Sequence, residues 1–206
     1  MSASLKTGAL RHALKDGKDD CYETPLEAVN TLRRVARLPD LIWEPACGPG
    51  AIVRPLRDAG HDVVATDLVD YGLENSASGV DFLMERAPPC GVRCIVTNPP
   101  YKLANEFVRH GLHLCDEVFM LLRLAFLEGA GRSDIIDQHL AQVFLGRERL
   151  PMMHRRGWEG PKTGNAAMPF AWFRFTAART AGSIDLQRVS WRDGEPGATK
   201  FDEVAA

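Results

Sequence analysis

No stretch of this sequence approaches 18 consecutive apolar residues, and its first twenty positions hold no apolar run behind a basic start. A membrane-spanning helix and a secretory leader both require such runs, so the expectation is a soluble, cytoplasmic protein. An excess of one charge is missing too. Lys and Arg total 25 against 27 Asp and Glu, a formal net charge of −2, so the molecule as a whole does not attract polyanions. Cysteine is sparse, and the five residues at 21, 47, 90, 94 and 115 form no CxxC pair. An odd number without paired spacing points to a reducing compartment rather than a disulfide framework. Zinc is weighed on Cys90-x3-Cys94 and His110-x2-His113-x-Cys115, but Cys94 falls in an apolar strand, and the expectation is no metal. Also absent are an internal repeat, a full GxGxxG signature and a Walker lysine.

What remains is a chain of 206 residues and 45% hydrophobic composition, enough for one domain with a full core. Residues 1–20 are polar and mixed in charge and read as a flexible arm, and 192–206 read as a frayed tail. Between them, 21–191 read as one domain. Thr24 as N-cap and Pro25 at the first position predict a helix through Leu38-Pro39, with Leu26, Val29, Leu32, Val35 and Ala36 at helical spacing. Strands are predicted at 41–43, 62–66, 80–83, 93–97, 117–122, 142–145 and 170–175, and helices through Leu56, at 103–114 and at 133–140. This alternation predicts an α/β fold, a doubly wound, mostly parallel seven-stranded sheet with helices on both faces. In such sheets ligands bind beyond the carboxyl ends of the strands. The loop after the first strand, the end of the second and the end of the fourth therefore share one rim.

Those three places carry unusual residues. The first loop is EPACGPG (44–50), where Gly48 and Gly50 let backbone approach a ligand closely. The second strand ends on Asp67, where an acid can accept from both hydroxyls of a ribose. The fourth strand runs into TNPPY (97–101), whose adjacent prolines lack the N–H groups that continue a sheet ladder. The strand is thus made to stop at a stiff tip bearing an amide, Asn98, and a ring, Tyr101.

Together these residues resemble the class I S-adenosylmethionine-dependent methyltransferases, and among them the enzymes that methylate the N6 amine of adenine. EPACGPG looks like their cofactor loop and NPPY like their catalytic loop. YETP (22–25), ahead of both, is similar to the segment that closes over the methionine end of the cofactor, in the order of the γ-type DNA enzymes. The resemblance spans about residues 21–176 and implies a Rossmann-like fold and S-adenosyl-L-methionine as cofactor. Glu44, Ala46, Gly48 and Gly50 would line its methionine part, with Tyr22 and Thr24 above, Asp67 on the ribose, and Asp81 and Phe82 at its adenine. Asn98 and Pro99 would receive the target amine, Pro100 would stiffen the tip, and Tyr101 would stack on a flipped base.

The acceptor is read first as DNA and second as RNA; a protein glutamine, a small amine, or a non-catalytic nucleic-acid-binding module remain open alternatives. From Arg147 to Arg179 seven Lys/Arg face two Glu, and the segment 147–169 reads as a basic, substrate-facing insert. Trp158 is the candidate second aromatic against a flipped base, with Arg155, Arg156 and Lys162 as substrate contacts. Phe170 and Trp172 read as strand packing and Trp43 as core, while Arg123 is open between a substrate phosphate and a carboxylate partner. The chain departs from the γ-type enzymes in leaving no room for a separate target-recognition domain. Short-site or relaxed specificity, with salt-sensitive binding, is therefore expected.

Overall fold

The computed structural model describes residues 22–151, 166–178 and 182–192. The arm at 1–20, the tail from 193 onward, and Trp158, Arg155, Arg156 and Lys162 lie outside the described residues. Eight strands form one sheet: β1 (Leu41–Glu44), β2 (Asp62–Asp67), β3 (Ser76–Ser78), β4 (Cys94–Thr97), β5 (Glu117–Arg123), β6 (Leu140–Gly146), β7 (Phe170–Thr176) and β8 (Asp185–Val189). Their order is β3-β2-β1-β4-β5-β7-β6-β8. Neighbours pair in parallel except at β7, which runs antiparallel to both β5 and β6. The fold is the expected α/β doubly wound sheet, with two corrections to its strands.

The third strand is not at 80–83. It is Ser76–Ser78, while Phe82–Met84 make one 3-10 turn capped by the Asp81 carboxylate, which accepts from the Leu83 N–H at 3.0 Å. Ser-Ala-Ser at a sheet edge buries little, so apolar content gives no sign of it. The sheet has an eighth strand as well. Among the described residues β8 pairs only with β6 and, of its five residues, buries only Val189, so its polar outer face conceals it in the same way.

Among the described residues four α-helices cover the sheet: α1 (Leu26–Val35), α2 (Val53–Asp58), α3 (Ala104–Leu114) and α4 (Ser133–His139). Period-2 alternation sends successive strand residues to opposite faces. Ile42, Val96, Phe119, Leu121 and Trp172 pack with Val29 and Leu32 of α1 and Leu56 of α2. Trp43, Ile95, Val118, Met120 and Phe173 pack with Val108 of α3 and Ile135 of α4. Trp43 and Trp172 are both fully buried, as expected of core and strand packing. Each indole finds an acceptor: Trp43 Nε1–H donates to Thr66 Oγ1 at 2.9 Å, and Trp172 Nε1–H to the Ala28 carbonyl at 2.8 Å. Burial of a side chain of this size is worth roughly 1.5–3 kcal/mol. The Trp172 bond also ties α1 to the sheet, which fixes the chain just ahead of α1 over the rim.

That chain differs from its sequence reading at one atom. α1 begins at Leu26 behind Pro25, without a side-chain cap, and ends at Val35. The Thr24 hydroxyl, expected to cap the helix, instead accepts from Asn98 Nδ2 at 3.0 Å. Among the described residues no helix is long and apolar enough to cross a membrane.

Candidate functional site

Strands β1, β2, β4 and β5 are parallel and end side by side on Glu44, Asp67, Thr97 and Arg123. The strand order reverses between β1 and β4, and there a cavity of about 450 Å3 opens at the carboxyl rim. Sites for small organic ligands occupy roughly 300–1,000 Å3. Tyr22, Thr24, Ala46, Gly48, Asp67, Asp81, Phe82, Asn98, Pro99, Pro100 and Tyr101 all contribute to its wall. Loops separated by up to 79 positions, Tyr22 to Tyr101, thus converge on one space.

The loop after β1 is held from below and from the side. The Cys47 N–H donates to the Thr66 carbonyl at 3.0 Å. The Gly48 N–H donates to Asp67 Oδ2 at 2.8 Å, and Asp67 Oδ1 accepts from the Val69 N–H at 2.9 Å. These contacts position the Asp67 carboxylate at the rim. Gly48 and Gly50 take φ of 49° and 94°, the left-handed region that costs a side chain energy. Gly50 is not on the cavity wall; a Cβ there would meet Leu73 Cδ1 at 2.6 Å. Gly50→Ala is expected to lower stability by about 1–3 kcal/mol, read as a fall in the urea midpoint. Leu73→Ala in addition should recover only the steric part, and an unchanged midpoint in the single variant would show that the turn tolerates a side chain.

Glu44 is also off the cavity wall. It is 1% exposed beneath the loop, where Oε1 accepts from the Ala46 N–H at 3.1 Å and from Thr97 Oγ1 at 2.6 Å. Its second oxygen, Oε2, is buried without a partner among the described residues. Burial pushes the carboxyl up to about 8, aided by the nearby Asp67 charge and opposed by the Thr97 and Ala46 contacts. The group is therefore mostly protonated at neutral pH. Through Thr97 it joins the loop after β1 to the start of the NPPY tip. The buried Cys47 thiol is pushed up to about 12, by burial first and then by Glu44 and Asp67, so it is an inert part of this floor.

Asn98 has the most unusual environment at the rim. Its Nδ2 donates to the Tyr22 carbonyl at 3.2 Å and to Thr24 Oγ1 at 3.0 Å. A carbonyl can only accept, so this pairing fixes which end of the amide faces Tyr22. The Oδ1 end is shielded from water and has no partner among the described residues. Such an orphan acceptor costs roughly 1–3 kcal/mol, a penalty usually met at sites of strain or function. Pro99 beside it is buried.

Tyr101 opens the 3-10 turn after the tip, and three of its neighbours are Tyr22, Phe170 and Arg123. Tyr22 stacks at 6.2 Å between centroids and 29° between planes, Phe170 lies tilted at 5.7 Å, and the Arg123 guanidinium carbon stands 5.0 Å from the ring centroid. Phe82 sits deeper, 2% exposed among Trp43, Phe107 and His110, and forms floor rather than rim. Sequence reasoning missed Thr97 as the link to Glu44. It also read Phe170 as strand packing only, although its position at the start of β7, beside the rim, is a signal that topology alone could supply.

No protein-family model matches the chain, and no curated protein matches it. Its fold is shared with solved structures. A modification subunit assigned to a type I restriction enzyme of Vibrio vulnificus aligns with a TM-score of 0.57 at 14% identity, covering 91% of this chain and 50% of its own. A protein of Listeria monocytogenes assigned as a class I S-adenosylmethionine-dependent methyltransferase aligns at 0.53 and 12% identity, covering 80% and 64%. An assigned O-methyltransferase of Agrobacterium tumefaciens aligns at 0.51 and 12%, covering 81% and 86%. The chain thus spans half the length of the first and under two thirds of the second. At these identities the likeness is one of fold, the Rossmann-like fold of methyltransferases. It includes neighbours named for different acceptors, so the acceptor has to be argued from the residues of the rim.

Proposed function

We propose that the rim cavity binds S-adenosyl-L-methionine and that the chain methylates the exocyclic N6 amine of adenine in DNA. The observation that carries this reading is the place of Asn98: the residue lines a cavity of small-ligand size, its amide nitrogen is anchored to Tyr22 and Thr24, and its shielded oxygen has no partner among the described residues. The cofactor fits the residues present. Asp67 would offer its carboxylate to the ribose hydroxyls and Gly48 would bring backbone close, while Tyr22, Thr24, Asp81 and Phe82 line the same cavity. Bound there, it supplies an electrophilic methyl group on a sulfonium.

The rest of the chemistry belongs to the chain. An amine conjugated to a purine is a weak nucleophile because its lone pair is delocalised into the ring. Asn98 Oδ1 and the Pro99 carbonyl are both acceptors, and two N–H bonds to them favour a more pyramidal nitrogen with a localised lone pair. Pro99 and Pro100 fix their own φ, so the acceptors need little reorganisation as charge develops. Tyr101 stands with Tyr22 and Phe170 in an aromatic group at the tip, and an extruded base stacking against it would gain roughly 1–3 kcal/mol. Arg155, Arg156, Lys162 and Trp158 complete the proposed substrate contacts.

Transfer of labelled methyl from S-adenosylmethionine onto DNA, RNA and protein in parallel tests the reading. Label is expected in DNA and, after hydrolysis, in N6-methyladenine. Label in RNA would move the acceptor while keeping the chemistry; label in protein alone, or none, would overturn the assignment.

A further inference from the structure

Arg123 is the last residue of β5, and its backbone is held in the sheet. It pairs with Phe170 in the β5–β7 ladder, and the next N–H, that of Leu124, donates to the Pro169 carbonyl at 2.9 Å. Its side chain is exposed, and the guanidinium stands over the Tyr101 ring. Among the described residues it meets neither a carboxylate nor a carbonyl acceptor. Arg132, on the segment that follows, is clamped by Asn105 Oδ1 and by the carbonyls of Ala125, Phe126 and Glu128. Arg174, on the neighbouring β7, is bound to Glu117 and Gln142. Both of those side chains have a structural use; Arg123 has a rigid base, an open fork of donors and a place beside the tip.

Attraction between a cation and a ring face uses the charge and leaves the guanidinium N–H groups able to donate. Those groups match the oxygens of a phosphate, which they can bind in pairs. Stacking rings beside a cation are the surface on which an unpaired nucleotide is held: rings take the base, the cation takes the backbone. Tyr22, Tyr101 and Phe170, with Arg123 over the Tyr101 ring, make that combination next to Asn98.

We propose that Arg123 binds a backbone phosphate flanking the target base, and so orients that base at Asn98. This rests on the proposed nucleic-acid acceptor, and it makes Arg123 a substrate-binding residue that a merely structural clamp on Tyr101 would not mimic. The test uses the full chain and a fluorescently labelled single-stranded DNA oligonucleotide, with anisotropy read over a series of salt concentrations. For Arg123→Ala, affinity is expected to fall about tenfold, as for loss of a charge-assisted hydrogen bond. The slope of log K against log salt should become shallower by about 0.7, the share of one phosphate contact on a single strand. Arg123→Lys keeps the charge and should keep the slope, with a smaller loss in affinity. In methyl transfer the change should appear in KM for the oligonucleotide rather than in kcat. An unchanged slope in Arg123→Ala, or a loss confined to kcat, would overturn the proposal in favour of a clamp on the ring. So would failure of the wild-type chain to bind the oligonucleotide. Calorimetry with S-adenosylmethionine separates the two claims: absence of cofactor binding sinks the methyltransferase reading, while the anisotropy series still reports on Arg123.

Discussion

Asn98→Ala should lower kcat for methyl transfer by about 10²–10³, the usual cost of removing one preorganised group aimed at developing charge. The variant deletes the unpaired Oδ1, which on this reading is the acceptor that draws the amine into place. It also deletes Nδ2, and with it the bonds to the Tyr22 carbonyl and Thr24 Oγ1. Two effects are therefore mixed, one on the amine and one on the wall of the cavity. Thr24→Val isolates the second. It removes one of the two acceptors that anchor the amide while Oδ1 and the Tyr22 bond remain. Its effect on cofactor affinity and rate should be no more than about fivefold, the worth of one neutral hydrogen bond. Asn98→Ala should likewise leave cofactor affinity near that range by calorimetry. If it abolishes cofactor binding instead, Asn98 is a wall residue and its assignment to the amine is wrong. Transfer at wild-type rate would be equally fatal.

The parts of this site legible in the sequence are those whose signal is local. Two glycines in EPACGPG announce a backbone turn, and the structure gives both positive φ. Two prolines announce the end of a strand, and β4 stops at Thr97. Apolar runs of four to seven residues announce strands buried on both faces, as β4 and β5 are. Signals that depend on distant partners were not legible. Thr24 has every local mark of an N-cap, but Asn98, 74 positions away, takes its hydroxyl. Glu44 heads the cofactor-loop motif and was expected on the ligand; the structure turns it under the loop onto Thr97, 53 positions on. Phe170 and Arg123 reach Tyr101 because β7 inserts antiparallel beside β5, a pairing that no short pattern encodes. The two polar edge strands β3 and β8 were lost for the opposite reason: they bury so little that hydrophobic periodicity has nothing to report.

Glu44→Gln should flatten a fall in stability that the wild-type chain shows as pH rises from about 4.5 to about 8. In the unfolded chain this carboxyl has its ordinary value of 4.5, and in the fold burial raises it to about 8. Between those values the folded state holds a proton that the unfolded state has released, so ν_U − ν_N is negative and stability decreases with rising pH. Below 4.5 both states are protonated, and above 8 both are ionised, so the contribution is flat outside the window. A shift of this size corresponds to a loss on the order of 5 kcal/mol across it. Glutamine keeps an oxygen for the Ala46 N–H and the Thr97 hydroxyl, and so keeps the link between the cofactor loop and the NPPY tip. Its NH2 group would occupy the place of the orphan Oε2 and find no partner, at a cost of roughly 1–3 kcal/mol that does not vary with pH. The variant should therefore be slightly less stable than wild type near pH 4.5 and more stable by about 2–4 kcal/mol above pH 8. Urea unfolding of both proteins across this range gives the difference curve, in which titrations common to the two cancel. Parallel curves would mean that Glu44 is already ionised in the fold at low pH, with a partner for Oε2, and the dry floor beneath the loop would have to be abandoned.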